Sequence, residues 1–188
     1  MTDKYPDDIY YRTDLESAIV QGNETVFSEL IDDAGLAHRS GSGGTLLHTA
    51  QTGNRTSMAM ELIERGIDIN ATDEGGYTAL HRALDKQRWE FVELLIEHGA
   101  DVNTTNVSGS TPLHSVIGHA RLNNKFVKLL LEHGADPTLS GDSGKSPLEI
   151  ARDLEYDDIV ELLEGPTERQ RFVSCWFAPE SQHAPIYV

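Results

Sequence analysis

Four tetrapeptides recur in this chain at nearly constant intervals. They are "TLLH" at 45, "TALH" at 78, "TPLH" at 111 and "SPLE" at 146, spaced by 33, 33 and 35 residues. A second series follows them: "LIERGIDIN", "LLIEHGADVN", "LLLEHGADPT" and "IVELLEGP". A period of about 20 to 50 residues is typical of a repeat array, in which each unit buries its apolar faces against its neighbours. The repeat therefore predicts one array over most of the 188 residues.

Each unit has the sequence of two short helices. A Thr or Ser precedes the first helix, where its hydroxyl can accept a hydrogen bond from a free N–H of the first turn. Pro112 and Pro147 follow directly, at a position where a helix needs no N–H. The apolar spacing of Phe91, Val92 and Leu95 predicts a second helix. A glycine then ends the second helix, since a C-terminal cap often adopts a left-handed conformation. These glycines are Gly35, Gly66, Gly99, Gly134 and Gly165.

The recurring pattern Thr-Pro-Leu-His-x-Ala, seen as "TLLHTA", "TALHRA" and "TPLHSV", resembles the ankyrin repeat. The ending "EHGADVN" matches that family residue for residue, and an earlier, weaker copy begins at Thr13. The resemblance implies an all-α solenoid of about five stacked helix–turn–helix units joined by β-hairpin fingers. It implies an N-terminal segment 1–12, an N-cap repeat 13–44, repeats 45–77, 78–110 and 111–145, a C-cap repeat 146–165 and a tail 166–188.

Two of the units depart from the family pattern. The second unit carries "GSGG" at 41–44 where the family usually has Asp-x-x-Gly, so we expect a looser finger than the next one, "TDEGGYT". Its second helix, "SMAMELI", is rich in methionine, and we expect softer packing there. The fourth unit has two extra residues within 118–125.

The formal net charge of −16 lies entirely within residues 1–164, because Arg169 and Arg171 balance Glu168 and Glu180 in the remainder. Such a field repels nucleic acid and anionic lipid and attracts a basic partner, although it can also serve only solubility. One cysteine, no apolar run near 18 residues and no signal-like N-terminus favour a cytoplasmic, reducing location without a membrane span.

Catalytic and metal-binding readings find little support in the motifs. Gly144-Lys145-Ser146 suggests a phosphate-binding loop, but Leu139 stands where that motif requires glycine, and Gly144 aligns with finger glycines. The sequence contains no zinc-type Cys or His spacing and no nucleophile motif. We therefore predict no enzyme activity, no metal and no cofactor.

The histidines are explained by the resemblance. It implies that His48, His81 and His114 bridge neighbouring units through the backbone and the Thr, and that His98 and His133 are structural too. His119, inside the insertion, is the one candidate for a further role. Asn70 and Asn103 occupy slots that are hydroxylated in some members of the family, or they simply stabilise a turn.

In ankyrin arrays partners usually contact the finger tips and the exposed residues of the first helices, which form a concave face. Carried over by position, this implies the following partner-binding residues: Glu74, Tyr77, Asp85, Lys86, Val107, Ser110, His119, Arg121 and Lys145. Arg88 and Trp89 lie just beyond. An exposed Trp beside an Arg is a hot-spot candidate, although Trp89 could instead cover the core.

The tail holds Phe172, Val173, Trp176 and Phe177 close together. Phe172, Trp176 and Phe177 are predicted to pack on the last repeat, because large apolar side chains left in water are a liability. The alternative is an exposed docking peptide.

Together these features predict a monomeric, non-catalytic protein–protein interaction module whose concave acidic face masks or inhibits a basic or mixed partner. The alternative is an adaptor that binds a second partner through its tail. An enzyme would need a pocket with a perturbed ionisable group that the repeat does not explain.

Overall fold

The computed structural model describes residues 8–34, 36–118 and 124–165, and within those ranges the regular structure is ten helices. In chain order they are α1 Asp8–Gln21, α2 Glu24–Ala34, α3 Leu46–Gly53, α4 Thr56–Glu64, α5 Ala79–Asp85, α6 Trp89–Glu97, α7 Pro112–Ile117, α8 Asn124–Glu132, α9 Pro147–Asp153 and α10 Asp157–Glu164. They form five successive pairs, so the predicted all-α solenoid is confirmed.

The first helix of each later pair begins where the sequence predicts. Thr45, Thr78, Thr111 and Ser146 are the N-cap residues of α3, α5, α7 and α9. In α5 the Thr78 hydroxyl accepts from the backbone N–H of His81, at 3.4 Å. In each of the four helices, the side chain three residues after the N-cap also accepts a hydrogen bond from the N-cap's backbone N–H, which makes a reciprocal capping box.

The second helices end as predicted at four described glycines. Gly66, Gly99 and Gly134 follow α4, α6 and α8 with φ of 85°, 87° and 86°, and Gly165 is the C-cap of α10 with φ 71°. A β-carbon disfavours this left-handed conformation, so glycine is the residue that suits it. Gly35, predicted to end the first unit, lies outside the described residues.

The helices stack in two rows. First helices contact one another along the series α1, α3, α5, α7 and α9, and second helices contact through α4 with α6 and α8 with α10. The core between the rows is apolar, with Phe91 and Phe126 fully buried at equivalent positions of α6 and α8. Met58 occupies the same position in α4 and is 2% exposed, so the methionine-rich helix still fills its place in the core.

The first unit differs from the expectation. Thr13 was predicted at a helix start, but α1 begins at Asp8 and Thr13 lies inside it. The first unit therefore lacks the Thr-capped start of its neighbours. The Glu16 carboxylate lies 2.9 Å from Nε2 of the buried His38, which ties α1 to the segment that leads to α3.

Candidate functional site

The fingers are the short loops that precede the first helices α3, α5, α7 and α9. We number each by the helix pair that it precedes, so that 40–44 is the second finger, 73–77 the third, 106–110 the fourth and 141–145 the fifth. Two backbone hydrogen bonds hold each loop, for example from Asp73 N–H to the Tyr77 carbonyl at 3.0 Å and from Gly76 N–H to the Asp73 carbonyl at 2.9 Å. Successive fingers are joined tip to tip by Glu74 to Ser42, Val107 to Gly75 and Asp142 to Ser108, at 3.2, 3.1 and 2.9 Å. The fingers and the first helices α3, α5, α7 and α9 together form what we call the finger surface.

Asp73 organises the third finger. One carboxylate oxygen accepts from the backbone N–H groups of Gly75 and Tyr77, at 2.9 and 3.0 Å. The other accepts from the Arg82 guanidinium of α5. Burial alone would raise the pKa of Asp73, but these hydrogen bonds and the Arg82 charge hold it below its ordinary value. The carboxylate therefore ties the finger to the helix that follows it.

The Tyr77 ring is held in place by the same arrangement. The Arg82 guanidinium lies 4.0 Å from the centre of the ring, and the His81 ring meets it edge-on at 5.8 Å. Tyr77 and Arg82 both remain half-exposed. A tyrosine whose conformation is set before binding loses little entropy when a partner contacts it.

The second and fourth fingers are tied by other side chains. Asn106 takes the place of Asp73 in the fourth finger and accepts from the N–H groups of Ser108 and Ser110. In the second finger the Ser40 hydroxyl accepts from the Gly44 N–H at 3.1 Å. Arg39, just before this finger, donates to the carbonyls of Gly43 and Thr72 at 3.1 and 2.9 Å. The looser second finger stays a prediction.

Several predicted binding residues do lie on the finger surface. Glu74 and Val107 are exposed at finger tips, and Val107 is 69% exposed, a large fraction for an apolar side chain. Ser110 is half-buried at the end of the fourth finger. Lys145 is exposed at the end of the fifth and pairs with Asp153 at 2.5 Å.

Asp85 and Lys86 stand at the far end of α5 from the fingers, half-buried and exposed respectively. They therefore extend the candidate surface along the helix.

Arg88 and Trp89 are not brought together with the finger residues. They stand at the start of α6, beyond the turn at the other end of α5. Arg88 donates to the carbonyl of Thr52 in the preceding unit at 2.9 Å. The Trp89 ring is half-buried, 5.3 Å from the ring of Phe126 and 4.4 Å from Nζ of Lys125. Trp89 thus covers the core at a unit boundary, and its role in partner binding stays a prediction.

His119, Arg121, Phe172, Trp176 and Phe177 lie outside the described residues. Their predicted roles at the insertion and in the tail remain predictions.

The described carboxylates are concentrated on the second helices and the turns that follow them. Carboxylates far outnumber cations on what we call the second-helix surface, which is α2, α4, α6, α8, α10 and the turns that follow them. Its carboxylates include Glu24, Glu29, Asp32, Glu61, Glu64, Asp68, Glu90, Glu93, Glu97, Asp101, Glu132, Asp136, Asp157, Asp158, Glu161 and Glu164, against Arg55, Arg65, Arg88, Lys125 and Lys128.

The finger surface is less acidic, but its carboxylates still outnumber its cations. It carries Asp73, Glu74, Asp85, Asp142, Glu149 and Asp153 against Arg82, Lys145 and Arg152, while Arg39 and Lys86 lie just outside the loops and helices that define it. An acidic docking face therefore stays a prediction. The repeat places most of the described carboxylates on the second helices.

The three periodic histidines bridge units as the resemblance implies. Their Nε2 atoms contact the carbonyls of Tyr77, Ser110 and Lys145 in the next finger, at 2.9, 3.2 and 3.2 Å. Asn70 and Asn103 also bridge units, accepting from the N–H groups of Asp101 and Asp136 at 2.8 and 2.9 Å. These contacts account for both asparagines by structure alone.

Gly144-Lys145-Ser146 forms the end of a finger and the start of α9. Gly144 has φ 73°, close to the values of Gly76 and Gly109 in earlier fingers, and Ser146 is the N-cap of α9. The rejection of a phosphate-binding loop is supported by this geometry. Among the described residues, no group of three or more His, Cys, Asp or Glu side chains could hold a metal ion. None of the described helices is long and apolar enough to cross a membrane.

Sequence reasoning missed Arg82, Asp73 and His38. The available signal for the first two was an Asp at the finger start and an Arg nine residues later in "DEGGYTALHR". No local pattern pointed to His38, whose partner is 22 residues away. Its Nδ1 is buried and has no hydrogen-bond partner in the part of the chain that the structure describes.

Comparison with known families agrees with this geometry. Residues 15–106 match the family described as Ankyrin repeats (3 copies), and residues 108–142 match the family described as Ankyrin repeat. No curated protein sequence matches the chain at a significant level.

Proposed function

The chain belongs to the ankyrin-repeat family, whose repeats are in general non-catalytic protein–protein interaction modules, and we propose that it binds a partner protein through its finger surface. The observation that carries this proposal is the Tyr77–Arg82–Asp73 arrangement on the third finger. It presents a tyrosine and an arginine, two residue types enriched in binding hot spots, in a conformation already set by the fold.

The partner contacts would centre on the third and fourth fingers. These two have a side chain, Asp73 or Asn106, that holds the loop from within. The exposed Val107 lies beside the third finger, since its N–H donates to Gly75. Small residues such as Ser108 and Ser110 flank it. An apolar tip next to an aromatic side chain suits a mixed apolar and polar partner surface.

The charge distribution supports two separate contributions to binding. The less acidic finger surface would make the direct contacts, while the more acidic second-helix surface would attract a basic partner over a longer range. Such steering raises the association rate and weakens as salt screens it. Occupation of the partner's surface would then mask or inhibit it. A cytoplasmic location, drawn from the cysteine usage, remains part of this proposal.

The binding test changes two exposed side chains, Val107 and Glu90. Purified, tagged protein would capture partners from source-cell lysate, and mass spectrometry would quantify them for wild type and for Val107→Arg. The matched control is Glu90→Lys, an exposed change on the second-helix surface. We expect Val107→Arg to lose the partner and Glu90→Lys to keep it with a smaller salt dependence. Retention by Val107→Arg together with loss by Glu90→Lys would place binding on the other surface.

The adaptor alternative depends on residues 166–188, outside the described part of the chain. A chain ending at residue 165 would lose one of two partners if the adaptor hypothesis holds, and would keep a single partner if the finger surface alone binds.

A further inference from the structure

The hydrogen bonds of the three histidines that bridge the units fix which ring nitrogen carries the proton. The backbone N–H groups of Thr45, Thr78 and Thr111 point at Nδ1 of His48, His81 and His114, at 3.1, 3.2 and 3.0 Å. A backbone N–H can only donate, so Nδ1 must be the unprotonated acceptor. The proton is therefore on Nε2, which donates to the carbonyl of the next finger.

Each of those carbonyls also closes its own finger. The Tyr77 oxygen accepts from Asp73 N–H, the Ser110 oxygen from Asn106 N–H, and the Lys145 oxygen from Gly141 N–H, at 3.0, 3.0 and 3.2 Å. The histidine bond and the finger-closing bond thus share one oxygen atom. A change at the histidine reaches the base of the finger directly.

The surroundings of the rings oppose a second proton. Burial lowers the pKa of all three histidines below 6.5, against the raising effect of the finger carbonyl. The charged groups near His48 are Asp73, Arg82 and Arg39. Those near His81 are Asp85, Arg82 and Asp73, while the pKa of the half-buried His114 is lowered by burial against its hydrogen bond to the Lys145 carbonyl.

A proton on Nδ1 would set two donors against each other. The Thr hydroxyl, 2.9 to 3.0 Å from Nδ1, can rotate and accept, but the backbone N–H of the same Thr cannot. The charged ring can relieve the conflict by leaving its site, which breaks its bond to the finger carbonyl. Proton binding and finger anchoring are therefore mutually exclusive in this geometry.

We propose that His48, His81 and His114 make the finger surface responsive to pH, so that mild acid releases the third, fourth and fifth fingers and any partner bound to them. The effect on a partner rests on the proposed function of the finger surface. The release of the fingers does not, since it is a property of the free chain. The fifth finger is held by His114 of the fourth unit. The fifth unit itself has no such histidine, because Glu149 takes its place and accepts from Ser146 N–H at 2.8 Å.

The test is hydrogen exchange of the free, full-length protein, followed by NMR and corrected for intrinsic exchange rates. The reporting amides are those of Asp73, Asn106 and Gly141. A histidine that takes its proton only in the opened state, with the ordinary pKa of 6.5, raises the open population about tenfold at about pH 5.5. We therefore expect the three protection factors to fall about tenfold between about pH 7.5 and 5.5.

The second finger is an internal control. Ser40 N–H closes it onto the Gly44 carbonyl at 2.7 Å, and within the described residues no histidine contacts that carbonyl. Its protection should fall much less. No change at the three reporting amides, or an equal fall at Ser40, would overturn the proposal.

Two variants separate the histidines. In His81→Gln the side chain keeps an acceptor and a donor but takes no proton, so Asn106 alone should lose its pH dependence. His133→Gln removes an exposed histidine whose Nδ1 lies 2.9 Å from the Leu129 carbonyl of its own helix, and it should alter none of the three amides. The wild-type result decides the proposal even if His81→Gln fails to fold. Because no partner is present, a negative outcome here leaves the proposed binding surface untouched.

Discussion

Arg82 donates to a single oxygen of the Asp73 carboxylate, at 3.0 Å from Nε and 2.6 Å from Nη2, and leaves the other oxygen to the backbone of the third finger. The carboxylate is 7% exposed, whereas the guanidinium side chain is 40% exposed. The buried member of the pair therefore serves the fold, and the exposed member faces solvent beside Tyr77. This division joins finger rigidity to a candidate contact residue.

Asp73→Asn should retain the finger and lose the tie to α5. The amide oxygen can still accept from the finger N–H groups, as Asn106 does in the fourth finger. The amide nitrogen would then face Arg82 and cannot accept from it, so the two hydrogen bonds and the charge interaction with the half-exposed Arg82 are lost, which costs about 1 kcal/mol of unfolding free energy. Asp73→Ala should cost about 2 kcal/mol, because two backbone donors also lose their acceptor. Urea unfolding at neutral pH measures both.

The pH dependence checks the same assignment. The folded-state pKa of Asp73 is lowered from 3.8, so its stabilising contribution is present above pH 3.8 and is lost as the pH falls through the folded-state value. The difference between wild type and Asp73→Asn should therefore shrink in strong acid. A difference that persists there would show that the charge of Asp73 is not its source.

Trp89→Ala should destabilise the fold even if Trp89 also contacts a partner. The half-buried ring packs on Phe126, and its removal should cost about 2 to 3 kcal/mol, below the range for a fully buried aromatic. Trp89→Phe retains the ring contact and should cost less than about 1.5 kcal/mol. Thermal and urea unfolding compare the two. Unchanged stability of Trp89→Ala with loss of partner capture would favour the hot-spot interpretation.

The features that could be predicted from the sequence are those that recur from unit to unit. Thr78 and its equivalents cap helices, glycines such as Gly99 end them, and His81 and its equivalents bridge units, because each role depends on neighbours a few residues away or one period away. A signal repeated in several units is hard to miss.

What the sequence did not predict depends on how the loops fold back and which way each helix faces. Arg82 reaches Asp73 only once the finger lies beside α5, and Arg88 reaches Thr52 across 36 residues. The net charge of −16 does not indicate which surface of the array carries the carboxylates. Its distribution follows from the carboxylates of segments such as "YDDIVELLE", which the array places in second helices.

Gln87→Gly should stabilise the protein by about 0.5 kcal/mol. Gln87 has φ 54° in the turn between α5 and α6, a left-handed conformation that costs a residue with a β-carbon about 1 to 2 kcal/mol, partly offset by the greater freedom of glycine when unfolded. Asn54 holds the equivalent turn at φ 55° and tolerates it better, so Asn54→Gly should be nearly neutral. Equal effects of the two changes in urea unfolding would contradict this assignment.

The last helix pair should prevent the array from stacking on a second copy. Arg152 and Glu164 pair at 2.6 Å where the fourth unit has Ile117 and Leu131. Leu148 is only half-buried, although its counterpart Leu113 is fully buried. The ion pair thus places charged groups on the face of α9 and α10 where a following unit would stack. A terminal repeat with a polar outer face is what the predicted C-cap repeat 146–165 calls for.

Arg152→Leu combined with Glu164→Ile should therefore make the protein associate. The change restores the residue types of an internal unit and leaves them without a following unit to cover them, which favours burial against another molecule. Light scattering after size exclusion should show a mass that rises with concentration. The control, Arg152→Glu with Glu164→Arg, keeps an ion pair of reversed polarity and should stay monomeric. A double apolar variant that remains monomeric at high concentration would mean that this face is already covered in the wild-type chain.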